Sequence, residues 1–159
     1  MAFRKIRTLG DPVLTKKCKP ILEINEKTKE LAYDMLDTMY GANGVGLAAP
    51  QIGVLKRICV IDVSPEGDRP MVLINPVITE TSGSQTGDEG CLSVPGKAGT
   101  VTRPNEVTVK AYNLKGQEIT VTGTELLARA LCHEIDHLDG IVYVEKAEGK
   151  LWETAAQEE

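Results

Sequence analysis

The sequence predicts an α+β fold, and three patterns carry that reading. Short runs of alternating apolar residues recur at hairpin spacing, as in Val107, Val109 and Ala111 followed, across a turn at 113–116, by Ile119 and Val121. Two other stretches carry apolar residues at helical spacing, one in each half of the chain. Nothing repeats as the strand–helix–strand unit that builds a parallel sheet. At 159 residues, the chain suits one domain with a core of its own.

The elements follow in order. Asp11-Pro12 and Lys19-Pro20 disfavour helix, so 8–20 reads as an extended lead-in. A helix is expected over 25–40. Asn25 is a good N-cap, Leu31, Met35, Leu36 and Met39 form one apolar stripe, and Gly41 and Gly44 end it. A small-residue loop, Gly44-Val45-Gly46-Leu47-Ala48-Ala49-Pro50-Gln51, comes next. Strands are expected over 57–63, 71–75 and 77–81, with Pro76 marking an irregularity. The polar, glycine-rich 82–90 reads as loop, and Cys91-Leu92-Ser93-Val94 as a short extended piece ending at Pro95. Beyond the hairpin, Thr122-Gly123-Thr124-Glu125 matches a capping box and Gly140 a C′ stop. Leu126, Leu127, Ala130, Leu131, Ile135 and Leu138 lie between them on more than one face, as in a helix buried inside the domain. A last strand is expected over 141–144. The domain is thus read as 1–144, with 145–159 an acidic tail or short helix.

Composition excludes several classes of function. A net charge of −5 and an aromatic content of 4% do not suit a nucleic-acid platform, which needs a basic face and stacking rings. No apolar run approaches the roughly 20 residues of a membrane span. The N-terminus lacks the pattern of a secretory signal, so a cytoplasmic protein is expected. Cys18, Cys59, Cys91 and Cys132 lie far apart without a C-x-x-C pair, and are expected as free thiols, ligands or small core residues.

The chemistry centres on His133-Glu134-Ile135-Asp136-His137, which holds both histidines of the chain. On a helix, residues four apart share a face, so two imidazoles there can grip one metal ion, and the Glu lies near enough to act on a water held beside it. The alternative is a chance pattern of two core histidines. A catalytic site needs a third protein ligand, which must be Cys, Asp or Glu. The metzincin arrangement fails, because Tyr143 stands where its third His belongs and no Met follows the motif. A Glu from a following helix has little chain to build it. Cys91, at a strand edge after a loop, is the better candidate, whereas Cys132 points about 100° away from the metal face. Gly44 to Ala49 matches G-x-G-x-x-A only superficially, since it follows a helix and runs into Pro50. Gln51 ends that loop with an amide able to donate to a developing oxyanion.

Three stretches, Gly44 to Gln51, Glu89-Gly90-Cys91-Leu92-Ser93 and His133 to His137, resemble the three signature motifs of the peptide deformylase family, in the same order. The likeness runs along nearly the whole chain. It implies an α+β fold with antiparallel sheets wrapped around a central buried helix carrying H-E-x-x-H, plus an N-terminal helix. It implies a metal-dependent hydrolase that removes the N-formyl group from the N-terminal formylmethionine of nascent polypeptides and releases formate. The metal is expected on Cys91, His133 and His137, natively Fe²⁺, with Zn²⁺ or Ni²⁺ as substitutes. Glu134 is expected as general acid and base, Gln51 and the Leu92 N–H as oxyanion donors, and Val45, Gly46 and Gly90 as lining for the substrate. The substrates are N-formylmethionyl nascent peptides, with no membrane and no direct nucleic-acid partner.

Two departures stand out. Many members carry an Arg that aligns near Ala98, where this chain reads Gly96-Lys97-Ala98, and Lys is a point charge, not a guanidinium fork. Many also end in a basic helix suited to docking near the ribosome, which the short acidic 145–159 does not provide. Two other readings compete: a metallo-amidase acting on another acylated amine, and a metal-binding structural or sensor domain. The second requires a closed four-ligand site, whereas the motifs supply three ligands and a Glu.

Overall fold

In the computed structural model, which describes residues 2–154, two antiparallel sheets enclose a central helix. The larger sheet has the order β1-β2-β3-β6-β7. Its strands are β1 (Gly46–Ala48), β2 (Ile58–Ile61), β3 (Met71–Ser82), β6 (Glu106–Tyr112) and β7 (Glu118–Thr124). The smaller has the order β4-β5-β8, from β4 (Gln85–Cys91), β5 (Val94–Arg103) and β8 (Glu148–Glu153). The two helices are α1 (Glu26–Gly41) and α2 (Glu125–Leu138), and α2 carries both histidines. Among the described residues, no helix is long and apolar enough to cross a membrane.

Strand β2 is buried at every position, and the reason is a helix on each face of its sheet. Cys59 and Ile61 face α2, where they pack with Leu73, Val107, Val109, Leu131, Ile135 and others. Ile58 and Val60 face α1, packing with Leu31, Met35 and Met39. The register of β1 on β2, Leu47 against Val60 and Ala48 against Cys59, continues the same alternation. Helix α1 begins as expected. The Asn25 side chain accepts from the Thr28 N–H at 3.1 Å, closing a capping box.

Several expectations are corrected. The segments 71–75 and 77–81 form one strand, β3, with a bulge at Asn75-Pro76, where Asn75 has φ +54° and clamps the Ile21 backbone through both ends of its amide. Residues 82–90, read as loop, contain most of β4. Its alternate positions Gln85, Gly87, Glu89 and Cys91 turn to α2, and since they are polar or small, no apolar alternation marks the strand. The expected capping box at Thr122 is absent. Thr122 lies inside β7, where its hydroxyl meets Thr108, and the chain turns directly into α2 at Glu125, with φ +54°. The loop 44–51 contains β1 and a 3-10 turn, and the lead-in includes another at Pro12–Thr15.

The C-terminal expectations also change. Residues 141–144 do not form a strand. Val142 and Tyr143 pack into the same cluster under the smaller sheet, where a strand would turn neighbours to opposite faces, and Tyr143–Glu145 is a 3-10 turn. Of the segment 145–159, expected as a tail or short helix, Glu148–Glu153 forms β8 on the edge of the smaller sheet, with Ala98 paired to Trp152. Leu151 packs beside Tyr143 and Ala147 over Gly99, where a Cβ would meet Leu151 Cδ2 at 2.6 Å. Residues 155–159 lie outside the described residues.

The C-terminal end of α2 is tightly closed. Gly140 has φ +81°, its N–H donates to His137 O, and the Ile141 N–H donates to Asp136 O. A Cβ there would lie 2.7 Å from Thr15 O, a backbone atom. Gly140→Ala is therefore expected to destabilise by more than about 1 kcal/mol, combining left-handed strain with a clash, as read from urea unfolding.

Asp62, just after β2, is buried and accepts from the Tyr40 hydroxyl, from Ser64 N–H and Oγ–H, and from the Arg69 N–H. Burial pushes its carboxyl up, but these donors outweigh burial and hold it below the usual carboxylate range. A depressed folded value stabilises above the unfolded value and loses that contribution as pH falls through the folded one. Urea midpoints of wild type and Asp62→Asn should differ at neutral pH and converge as pH drops below about 4.

Candidate active site

The site forms where β4 meets α2. Cys91 ends β4, and Leu92 and Ser93 make the tight turn that pairs Cys91 with Val94 at the start of β5. His133 and His137 lie one turn apart on α2, with ring centroids 4.9 Å apart. The ligand atoms of Cys91, His133 and His137 all fall within 4.8 Å of one another, and Cys91 Sγ is 3.3 Å from His137 Nε2. The structure thus brings together the three residues that the sequence singled out as ligands.

The surroundings suit a cation. Burial alone would depress the basicity of His133, but Glu134, Cys91 and Glu89 outweigh it and raise the value well above the usual imidazole range. Positive charge is therefore favoured at this point. Burial and the neighbouring His133 push His137 well below that range, leaving it neutral, as a ligand must be. Glu89 accepts the Nδ1–H of His133 at 2.9 Å, which turns the Nε2 lone pair toward the trio. His137 Nδ1 and Glu134 Oε1 are buried without a hydrogen-bond partner among the described residues. A donor set of one thiol and two imidazoles, with an acidic surround, fits a divalent transition metal.

Glu134 follows His133 on α2, and its Oε2 lies 4.0 Å from His133 Nε2. Burial pushes its carboxyl up to about 7. Gly46, on β1, sits directly against it, and a Cβ at Gly46 would overlap the Glu134 carboxylate. At this position close approach rather than a turn favours glycine, since any larger residue would displace the Glu134 carboxylate. Gln51 is buried, and its orientation follows from its bonds. Oε1 accepts from the Ala48 N–H at 2.9 Å, so Nε2 faces Ser93 Oγ at 3.1 Å and Cys91 Sγ at 3.5 Å.

Gly46, Gln51, Glu89, Cys91, His133 and Glu134 line a cavity of about 510 Å³. Val45 and Gly90 are exposed at its lip, Leu92 is half-buried against Gly44, and Leu126 extends it along α2. Lys97 and Thr154 border the far side, where Lys97 Nζ is 3.8 Å from Glu153 of β8. Ala98, where the family resemblance led to the expectation of an Arg, is buried in β5.

The sequence reading missed four residues that shape this site. Glu89 accepts from Arg103 Nε and Nη2 at 3.1 and 2.6 Å, from Arg129 Nη1 at 2.7 Å and from His133. Arg103 Nη1 also donates to Asp136 at 2.6 Å. Burial opposes ionisation of Glu89, yet its cationic neighbours hold it well below the usual carboxylate range. A signal was present: Arg129, His133 and Asp136 stand four and three residues apart, a polar stripe along one side of a helix whose other side is apolar. A buried stripe of that kind needs a carboxylate facing it, and Glu89 is two residues from Cys91.

Comparison with known proteins agrees with the geometry. Residues 3–151 match the family model described as polypeptide deformylase. A curated peptide deformylase from Lachnoclostridium phytofermentans is 62% identical over 159 residues, covering 100% of this chain and 98% of the relative. The crystal structure of a peptide deformylase from Legionella pneumophila superposes with a TM-score of 0.89 at 48% identity, covering 92% of this chain and 87% of that one. That of the Thermotoga maritima enzyme gives 0.89 at 37% identity, covering 94% and 100%. The chain belongs to the polypeptide deformylase family, metal-dependent hydrolases that remove the N-formyl group from the N-terminal formylmethionine of nascent polypeptides.

Proposed function

We propose that Cys91, His133 and His137 hold one divalent ion, natively Fe²⁺, at the bottom of this cavity. The observation that carries the reading is the convergence of their three ligand atoms within 4.8 Å beside an unpartnered buried carboxylate oxygen of Glu134. Cys/His₂ donors suit Fe²⁺ and Zn²⁺ alike, so anaerobic purification followed by metal analysis decides the native ion. When bound, such an ion would supply Lewis acidity toward the formyl carbonyl and the attacking water.

The chain's own groups do the rest. Glu134 takes the proton of the attacking water and delivers it to the departing amine, which its proximity to neutral pH suits. Gln51 Nε2, its Oε1 anchored to Ala48, and the backbone N–H of Leu92 at the β4–β5 turn donate to the developing oxyanion. Val45, Gly46 and Gly90 border the formyl-methionyl end, and Gly46 leaves the Glu134 carboxylate room. Residues 1–144 supply all of these groups. The cytoplasm, where nascent chains are made, is the expected compartment. Residues 148–153 form β8 and not a basic helix, so ribosome docking through such a helix is not part of this reading.

Formate release from formyl-Met-Ala-Ser tests the roles. Glu134→Gln is expected to lower kcat/KM by about 10²–10⁴-fold with the metal retained. Gln51→Ala is expected to cost about 10²–10³-fold. A Glu134→Gln variant with wild-type kcat/KM would refute the acid–base assignment.

A further inference from the structure

We infer that Arg129 is a positioning residue for the metal site: it fastens β4 to α2 and thereby sets the Cys91 thiol against the two histidines. The inference rests on the deformylase reading only for the identity of the metal-binding trio.

The three ligand atoms come from two elements, Cys91 from β4 and the histidines from α2. These belong to different packing units. The apolar face of α2 packs on the larger sheet, while Cys91 packs with Val94, Val101 and Tyr143 under the smaller one. Polar bonds along one side of α2 join them. Gln85 Nε2 donates to Glu125 O at 2.8 Å, Arg129 Nη1 to Glu89 Oε2 at 2.7 Å, His133 Nδ1 to Glu89 Oε1 at 2.9 Å, and Arg103 Nη1 to Asp136 Oδ2 at 2.6 Å.

Arg129 differs from Arg103 in what it connects. Arg103 is on β5, hydrogen-bonded to β4, so its fork onto Glu89 ties the smaller sheet to itself. Arg129 brings a cation from α2 to Glu89, and its Nη2 also faces Gln85 Oε1 at 3.4 Å, bridging two positions of β4. Both Arg129 and Glu89 are buried, so the bond is shielded from water and stronger than a surface pair. Without Arg129, Glu89 would keep its partner within the sheet and lose the charged tie to the helix, leaving the His133 ring as its main link to α2. That ring would then be both ligand and the Glu89 tie, beside the Arg103–Asp136 and Gln85–Glu125 bonds that also join the sheet to the helix. Arg129 also lines the cavity, and its Nη1 and Nη2 are engaged by Glu89 and Gln85.

Cobalt(II) is a suitable probe, because its thiolate charge-transfer band reports the bond to Cys91. In Arg129→Leu, which keeps an apolar stem, Co²⁺ affinity measured against a chelator is expected to fall about 10–100-fold, the range for lost outer-shell support. The thiolate band should weaken. Arg129→Lys, which keeps the charge but reaches only one partner, should fall between. In the metal-saturated enzyme, kcat should drop while KM for the formyl peptide stays within about twofold, a split expected of positioning. Circular dichroism establishes that each variant is folded; should Arg129→Leu not fold, Arg129→Lys is judged by the same readouts. Wild-type cobalt affinity with an unchanged band would overturn the proposal, as would an effect confined to KM. Failure of the deformylase reading would show separately, as no formate from metal-loaded wild type.

Discussion

A buried carboxylate, Glu89, holds this molecule together at the point where its chemistry is done. Placing an ionised carboxylate in a protein interior costs several kcal/mol unless charge and hydrogen bonds offset it. Here four N–H groups from Arg103, Arg129 and His133 do so. Two consequences follow from one group. The smaller sheet and the central helix, which share little apolar surface, are joined by a directional bond network. The His133 tautomer is fixed, with Nδ1–H toward Glu89 and Nε2 toward Cys91 and His137. The fold and the ligand geometry thus depend on the same contacts.

The rest of the architecture places that network correctly. Around β1 and β2 the larger sheet is buried on both faces, by α1 on one side and α2 on the other. That double cover fixes α2 rigidly, so a small side-chain motif on it becomes a precise fixture. The loop after α1 then returns along β1, bringing Gly46 against Glu134 and Gln51 against Cys91. The N-terminal lead-in braces both signature loops from behind, since the Arg7 N–H donates to Gln51 O and the Leu9 N–H to Ser93 O. Each donor in the site is thereby held by backbone bonds, so little reorganisation is needed when charge develops on a substrate oxygen.

Much of this was legible in the sequence, because periodicity reports apolar burial. The two helices, β2, the β6–β7 hairpin and the Gly140 stop all show in the alternation or spacing of Val, Ile, Leu and Gly. Cys91, His133 and His137, which the fold brings within 4.8 Å of one another, stood out in the motifs. What stayed hidden is what polar burial builds. Strand β4 faces α2 with Gln85, Gly87 and Glu89, so its inward face reads as loop. Strand β8 shows one half-buried apolar residue, Leu151, and earns its place by pairing with β5. Thr122 and Glu125 fit a capping pattern that a direct strand-to-helix turn made unnecessary. Local patterns do not report a bond partner forty residues away, as between Arg129 and Glu89.

The proposed ion draws one thiol from the smaller sheet and two imidazoles from the helix, a geometry that Glu89 supports through His133. X-ray absorption at the metal edge of the anaerobically prepared protein tests it most directly. One sulfur and two imidazole nitrogens are expected as protein ligands, with the sulfur lost in Cys91→Ser. A coordination shell without sulfur in the wild-type protein, or one unchanged by that substitution, would contradict it.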